Sequence, residues 1–134
     1  MNDIEKKWKP KYGEAYFAIE NAVDVVRYIY IGDDIDESCI LSGDYFPTRE
    51  RAEQVAKKIR LLLQLEQLHD QLCPDYEPDW DGTAKFLVAF DHTDGEMQAF
   101  FDRSSGESTL VYFRDVVTAM EAADILNAEL EGSK

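Results

Sequence analysis

An internal repeat constrains the fold of this chain more than any other feature of its sequence. The segments PKYGEAYFAIE (10–20) and DWDGTAKFLVAF (79–90) share an aromatic residue, a glycine, an Ala-x-Phe step and an apolar alternation. Further along, FPTRERAEQVAKKI (46–59) aligns with VVTAMEAADILNAE (116–129). Because self-similarity at a fixed spacing marks a repeated supersecondary unit, the pattern predicts two tandem units of one architecture.

Each unit is predicted to be a strand meander followed by a helix. Aromatic-rich runs separated by glycine-containing turns are typical of β-hairpins. In the second unit such runs lie at 84–90, 97–103 and 109–113. In the first unit they lie at 14–20 and 23–31, and a predicted turn at 32–38 leads to a short third strand near 39–41.

Capping signals place one helix at the end of each unit. Thr118 followed by Glu121 predicts a capping box, and Thr48 is predicted to cap the first helix in the same way. The first helix is expected over about 48–72, because Pro74 disfavours helix at the residue before it. The second is expected over about 118–130.

The predicted fold is therefore α+β: two tandem β-meander-plus-helix repeats, with antiparallel sheets packed against two helices. The predicted organisation is a first unit at 1–72, an acidic linker and strand leader at 73–83, and a second unit at 84–134.

The first helix carries two apolar stripes at helical spacing, and one sheet cannot cover both. The stripe expected to pack on the strands of its own unit consists of Ala52, Val55, Ile59 and Leu62. The second stripe, the candidate apolar interface, consists of Leu61, Leu65, Leu68 and Leu72. It is expected to meet the other unit, a dimer partner or a separate target protein.

Negative charge is the main global property of the chain. There are 28 acidic and 14 basic residues, which gives a net charge of −14. Residues 73–134 hold 14 acidic and 4 basic residues, which gives −10 for that half. Such a field repels phosphate backbones and acidic membrane surfaces, so a direct nucleic-acid or membrane partner is not expected. The simpler alternative is that the acidity only keeps a small protein soluble.

Seven carboxylates form the candidate partner-binding acidic patch. They are Asp75, Glu77, Asp79, Asp81, Asp91, Asp94 and Glu96. The spacing from Glu77 to Gly82 matches the first half of an EF-hand loop, but the twelfth position is Val88, which cannot bind calcium. No metal site and no cofactor are therefore predicted.

No arrangement of residues typical of catalysis is found. The two histidines, His69 and His92, are far apart in the sequence and lie on a predicted helix and in a predicted turn. The two cysteines, Cys39 and Cys73, are interpreted as free thiols of a cytoplasmic protein. The chain is predicted not to be an enzyme.

The segments WKPKYGEAYFAI (8–19) and GDYFPTRERA (43–52) resemble small proteins encoded by phages and prophages of Gram-positive bacteria. The shared pattern is a Trp-x-Pro leader, a Gly-Glu-x-Tyr strand and a Gly-x-x-Phe-x-Thr turn into a helix. It covers the first 72 residues. The resemblance implies a phage-encoded context, in the cytoplasm of the host or on the virion, and implies no catalytic residues.

These observations favour a non-enzymatic interaction protein that binds, and in one version inhibits, a host protein. A basic DNA-handling protein is the partner expected if the carboxylates imitate DNA phosphates. The alternative is a minor virion or assembly component that acts as a homo-oligomer, with a homodimer through the leucine stripe as its simplest form. An enzyme acting through the carboxylates of 75–81 is the third and weakest alternative.

Overall fold

A computed structural model describes residues 7–132 of the chain. Residues 1–6 of the predicted first unit and 133–134 of the predicted second unit lie outside them. The described elements are, in chain order, β1 (Ala15–Glu20), β2 (Asp24–Ile29), α1 (Asp34–Ser42), α2 (Arg49–Leu72), β3 (Lys85–Asp91), β4 (Glu96–Asp102) and α3 (Val116–Gly132). They group into two compact units, Met1–Leu61 and Leu62–Lys134, so the C-terminal part of α2 belongs to the second unit.

Unit 1 is built around the antiparallel hairpin of β1 and β2, which pairs Ala15 with Ile29 and Glu20 with Asp24. The hairpin turns through Asn21, whose φ is positive as in the hairpin turns that match strand twist. A single bridge joins Phe17 of β1 to Phe46, through a hydrogen bond in each direction. The buried centre of this unit consists of Tyr16, Ala18 and Tyr45, with Trp8, Tyr28, Tyr30, Cys39 and Ile40 packed against it.

Helix α1 occupies the segment for which the sequence predicts a turn and a third strand. Asp33 caps it by accepting the Asp36 N–H, and the Asp36 carboxylate accepts the Asp33 N–H in return. Asp36 is also the buried residue of the helix, and its carboxylate accepts the hydroxyl of Tyr16. The predicted third strand near 39–41 is therefore wrong, because a capping box turns this stretch into helix.

Unit 2 contains the second hairpin, in which Lys85 pairs with Asp102 and Asp91 with Glu96. This register places the turn at 92–95, as the sequence predicts. The predicted third strand at 109–113 is reduced to one bridge, between Phe86 and Phe113. Helix α3 packs on both strands of the hairpin, and the buried residues on its inner side are Ala119, Ala122, Ala123 and Leu126.

The two long helices begin at different kinds of cap. Thr48 accepts the Arg51 N–H at the start of α2, as predicted. At the start of α3 the cap is Asp115, whose carboxylate accepts both the N–H and the hydroxyl of Thr118. The predicted Thr118 cap is therefore wrong: Thr118 lies inside the first turn, and the helix begins at Val116.

The α+β class and the antiparallel sheets are confirmed, with three described helices instead of two and two strands in each sheet. Within residues 7–132 no helix combines the length and the apolar character needed to cross a bilayer.

Candidate functional site

In the acidic leader before β3, half-buried and exposed residues alternate over 75–81. Tyr76 and Trp80 are half-buried, whereas the carboxylates at 75, 77, 79 and 81 are all exposed. The Tyr76 carbonyl oxygen lies 3.0 Å from Nε2 of His69, and the Trp80 ring meets the Tyr112 ring edge-on at 5.6 Å. The aromatic residues thus attach the leader to unit 2, and the four carboxylates share its outer side.

Asp81 is the only carboxylate of the leader that has a hydrogen-bonded partner in the described structure. The hydroxyl and the N–H of Thr83 both donate to its Oδ1, at 2.7 and 3.0 Å. These bonds stabilise the charged form, so the pKa of Asp81 lies below its usual value. Asp81 is therefore ionised at any pH near neutrality.

The remaining acidic residues of the predicted patch lie at the β3–β4 turn. Asp91 accepts the Thr93 N–H, while the side-chain amide of Gln98 donates to Asp94 and to Glu96. Since β3 begins just after the leader and ends at Asp91, the seven-residue strand separates the two groups by roughly 20 Å. The predicted patch therefore consists of two clusters at opposite ends of one strand: a leader cluster at 75–81 and a turn cluster at 91–96.

A buried lysine lies next to the leader cluster. Lys85 is 1% exposed, and its Nζ donates to the carbonyl oxygens of Thr83 and Ser104. The same Nζ lies 5.1 Å from the centre of the Trp80 ring, a cation–π contact. Lys85 therefore positions the leader, a role that sequence reasoning missed because a lysine in a strand is ordinarily exposed.

Among residues 7–132, no lysine or arginine forms an ion pair with the two acidic clusters. The ion pairs found among residues 7–132 are His69–Asp70 and Arg114–Asp115, and neither involves one of the seven carboxylates. Asp102, at the end of β4, accepts the Ser104 N–H and the Tyr112 hydroxyl, which lowers its pKa. Six of the seven carboxylates of the two clusters are therefore exposed to solvent without a salt bridge in the described structure.

The candidate apolar interface on α2 is only partly open. Leu65 and Leu68 are buried, and Leu61 and Leu72 are half-buried. The burial of Leu65 and Leu68 agrees with packing of the stripe within the chain. Those two side chains are not offered to a dimer partner or to a target.

Two clefts in unit 1 are not predicted from the sequence. The first, of about 430 Å³, is lined in part by Cys39, Glu20, Tyr28 and Asp44. The Tyr28 hydroxyl donates to Glu20 at 2.5 Å, and this bond raises the pKa of Tyr28 to about 12. Burial raises the pKa of the Cys39 thiol, which keeps it protonated and poorly nucleophilic. The register pairs Tyr28 with Tyr16 and Glu20 with Asp24, so this bond runs diagonally across the hairpin and is not predicted from the sequence.

The second cleft, of about 660 Å³, contains two arginines that bind the backbone of the β1–β2 hairpin. Arg49 donates to the carbonyl oxygen of Val25 and Arg60 to that of Ala22. Both guanidinium groups therefore brace the hairpin from α2, and the carboxylates of Glu20, Asp24 and Glu53 line the same cleft.

The two histidines have different contacts. His69 Nδ1 is 3.1 Å from Asp70, and His92 contacts the ring of Phe90. Among the side chains of residues 7–132, no group of three or more His, Cys, Asp or Glu residues converges in a way that could hold a metal ion.

Comparison of the chain with protein-family models, with curated proteins and with solved structures finds no match. The geometry of the chain itself therefore carries the functional argument.

Proposed function

We propose that this chain is a non-enzymatic, phage- or prophage-encoded interaction protein that binds a basic protein of the host cell through the acidic surface of unit 2. The observation that carries the proposal is the uncompensated charge. The seven carboxylates of the leader and turn clusters form no ion pair within the described residues, and six of them are exposed.

An exposed surface of one charge affects the rate of association and the choice of binding partner. A surface of one sign attracts a partner of the opposite sign over about a Debye length, which is near 10 Å at 0.1 M salt. Electrostatic complementarity raises the association rate and excludes like-charged proteins. The proposed partner therefore carries a basic surface, and its affinity falls as salt rises.

The leader cluster is the stronger part of the surface because its backbone is held in place. Tyr76 contacts His69, and Trp80 contacts both Tyr112 and Lys85. A segment that is already ordered loses less conformational entropy on binding than a free loop does. In the more specific version of the proposal, these carboxylates occupy the groove in which a DNA-binding protein holds phosphates, and binding inhibits that protein.

Affinity capture from a bacterial lysate tests the proposal when it is combined with matched variants. The test variant combines Asp75→Asn, Glu77→Gln and Asp79→Asn, which removes three exposed carboxylates without breaking a side-chain hydrogen bond. The control combines Glu66→Gln, Glu121→Gln and Glu129→Gln, which changes the net charge equally at exposed helix positions. Captures are made at about 50 and 500 mM salt, on either side of the screening range.

The expected result is a basic protein that the wild type and the control retain at low salt, and that the test variant loses. Duplex DNA added as competitor releases it if the carboxylates imitate phosphates. Retention that is independent of salt, or equal for both triple variants, would contradict the proposal.

The alternative function, a homo-oligomeric virion or assembly component, rests on a weaker feature. Leu65 and Leu68, the central members of the candidate apolar interface, are buried in the chain. Light scattering of the purified protein separates the two functions, because an assembly component is expected to form stable oligomers and the interaction protein to be monomeric.

We also propose that the two units arose by duplication of one βββα ancestor, with a helix alignment that differs from the one read from the sequence. The supporting features are the equivalent bridges Phe17–Phe46 and Phe86–Phe113, each of which precedes a helix cap two residues on. Glycines of positive φ, Gly13 and Gly82, precede the first strand of each unit. In this alignment the Thr48 cap corresponds to Asp115.

The buried alanines fit the same alignment. Ala52 and Ala56 follow the first cap at the same distances at which Ala119 and Ala123 follow the second, and all four are buried. If each pair of positions is equivalent, Ala→Leu substitution at Ala52 and at Ala119 should destabilise the protein similarly. Overpacking of this kind typically lowers the free energy of unfolding by about 1–3 kcal/mol, and thermal denaturation measures it. Tolerance at one position alone would contradict the alignment.

A further inference from the structure

Within the described range 7–132, one edge of strand β4 has no backbone partner. The Phe86 carbonyl oxygen accepts the Phe113 N–H on the outer side of β3, so Phe86 points its backbone groups away from β4. In an antiparallel pair, residues whose backbone groups point away from the partner strand alternate with residues that are hydrogen-bonded to it. The register joins Phe86 to Phe101 and Val88 to Ala99. The N–H and C=O groups of Ala99 and Phe101 therefore point outward from the free edge of β4.

One position of this edge is already closed from within the chain. The side chain of Asn127 in α3 accepts the Met97 N–H at 2.8 Å and donates to the Met97 carbonyl oxygen at 3.0 Å. Met97, Ala99 and Phe101 are spaced two residues apart, so their backbone groups point to the same side of β4. The bonds from Met97 to Asn127 confirm that this side is the outer one. Those two residues have no corresponding cap in the described structure, so the edge is open from Ala99 onward.

The other sheet edges are better protected. The outer side of β3 at Val88 is buried. In unit 1, the residue in the middle of β2 whose backbone groups point outward is the charged Arg27. On the same edge, Arg49 donates a hydrogen bond to the carbonyl oxygen of Val25. Charged side chains and covered backbone groups are the usual protections of an edge strand. The centre of β4 has neither.

The side chains of β4 suit an added strand of particular chemistry. Phe100 and Phe101 are 41% and 63% exposed, and no charged residue lies between Glu96 and Asp102. The hairpin segment 91–102 contains four acidic residues and neither Lys nor Arg. The next residue along the chain, Arg103, is basic and lies over the Phe101 ring, and Lys85 pairs with Asp102 across the hairpin. The edge is thus apolar in the middle and acidic at both ends.

We propose that the open edge of β4 receives an extended, basic segment of the partner protein as an added strand. Its backbone groups would pair with Ala99 and Phe101, and its apolar side chains would lie on the face of Phe101. Its Lys or Arg side chains would lie on the opposite face, which Phe100 shares with Glu96 and Asp102. This inference rests on the proposed function. A second copy of the chain is the disfavoured occupant, because each copy carries a net charge of −14.

A fluorescently labelled peptide of alternating lysine and valine is the probe. A lysine–proline peptide of equal charge is its matched control, because proline cannot donate a ladder hydrogen bond. We expect the lysine–valine peptide to bind at least about tenfold more tightly, which corresponds to one or two backbone hydrogen bonds. Amide hydrogen exchange should slow about tenfold or more at Ala99 and Phe101 on binding. It should change little at Met97, whose N–H is already bonded to Asn127.

Two variants test the edge itself. Ala99→Pro removes the outward N–H, and Phe101→Arg adds a charge that repels a basic strand. Each should weaken binding about tenfold or more. Phe90→Arg is the control, because it adds the same charge on β3, away from the open edge. Phe90 is as exposed to solvent as Phe100 is. If Ala99→Pro fails to fold, Phe101→Arg alone tests the edge. An unchanged thermal transition of Phe101→Arg would show that its hairpin is intact.

Equal binding of the two peptides without protection at Ala99 and Phe101 overturns the added strand. If a basic protein is still captured from lysate in that case, the proposed function stands and only the binding mode fails. Protection of both amides in the free protein, together with a dimeric mass, overturns the proposal by assigning the edge to a second copy. If neither a basic peptide nor a basic protein binds, the proposed function fails as well.

Discussion

The Asp36 carboxylate allows the sharpest test of what holds unit 1 together. The residue is 1% exposed and accepts four hydrogen bonds. One comes from the Tyr16 hydroxyl, and the others come from the backbone N–H groups of Ile31, Gly32 and Asp33. It thereby joins strand β1, the loop after β2 and the cap of α1 in one interaction.

The substitution Asp36→Ala should lower the free energy of unfolding by about 3–4 kcal/mol. The buried Tyr16 hydroxyl loses its partner, which costs about 1–3 kcal/mol. The three backbone donors belong to exposed residues that water can reach, so each should contribute only about 0.5 kcal/mol. Asp34→Ala is the control, because Asp34 is exposed in the same first turn and should cost less than about 1 kcal/mol.

Urea unfolding followed by tryptophan emission measures the effect. Trp8 stacks on Tyr45 in unit 1, so a Trp80→Phe background makes the signal specific for this unit. The pair Asp36→Ala and Tyr16→Phe should be strongly non-additive, since each removes the same hydrogen bond. A loss within about 1 kcal/mol of the control, or an additive double variant, would contradict the role assigned to the Asp36 carboxylate.

The same carboxylate gives the stability of unit 1 a predicted dependence on pH. Burial raises the pKa of Asp36, but the bonds from Tyr16 and from the three backbone N–H groups outweigh it, and the pKa lies below its usual value. The contribution is therefore present above the unfolded value near 3.9 and is lost as pH falls through the folded value. The difference between wild type and Asp36→Ala should shrink below about pH 4. A difference that stays constant down to acid unfolding would contradict this assignment.

Three further substitutions test individual contacts. Asp115→Ala should cost about 1 kcal/mol by removing the cap of α3, whereas Glu121→Ala should change stability by less than about 0.5 kcal/mol; equal losses in thermal denaturation would contradict the cap. Asn127→Ala should raise amide exchange at Met97 and cost about 1–2 kcal/mol, because both bonds to that backbone are lost; continued protection of this amide would argue against the cap on β4. Lys85→Met should cost about 1–2 kcal/mol, because two carbonyl oxygens lose their donor; an unchanged urea midpoint would count against it.

The sequence predicts elements well where an apolar pattern accompanies them. The hairpins follow aromatic-rich runs, and α2 ends at Leu72, before Pro74, as expected. Helix α1 has no such pattern, because its buried residue is the carboxylate of Asp36. Its cap is an Asp-x-x-Asp sequence, which the usual Ser/Thr-x-x-Glu signature does not include. A helix held mainly by a polar contact could not be recognised from hydrophobic periodicity.

The candidate site shows a similar limit. In the leader, the aromatic residues are half-buried and the carboxylates at 75, 77, 79 and 81 are exposed, an arrangement that follows the alternation of the two residue types. The distance between the leader and turn clusters depends on the direction of β3, which composition does not contain. The burial of Leu65 and Leu68 likewise depends on what covers a helix face, whereas periodicity shows only that such a face exists.

Helix α2 has a consequence for how the chain is synthesised. It begins in unit 1 and continues without a break into unit 2. Divided between Leu61 and Leu62, it would leave two pieces of about a dozen residues, a length at which a helix alone is marginal in water. When the last residue of unit 1 leaves the ribosome, its helix therefore still lacks half of its turns. We expect the nascent chain to resist protease only after unit 2 has emerged, so that the protein becomes stable late and in one event.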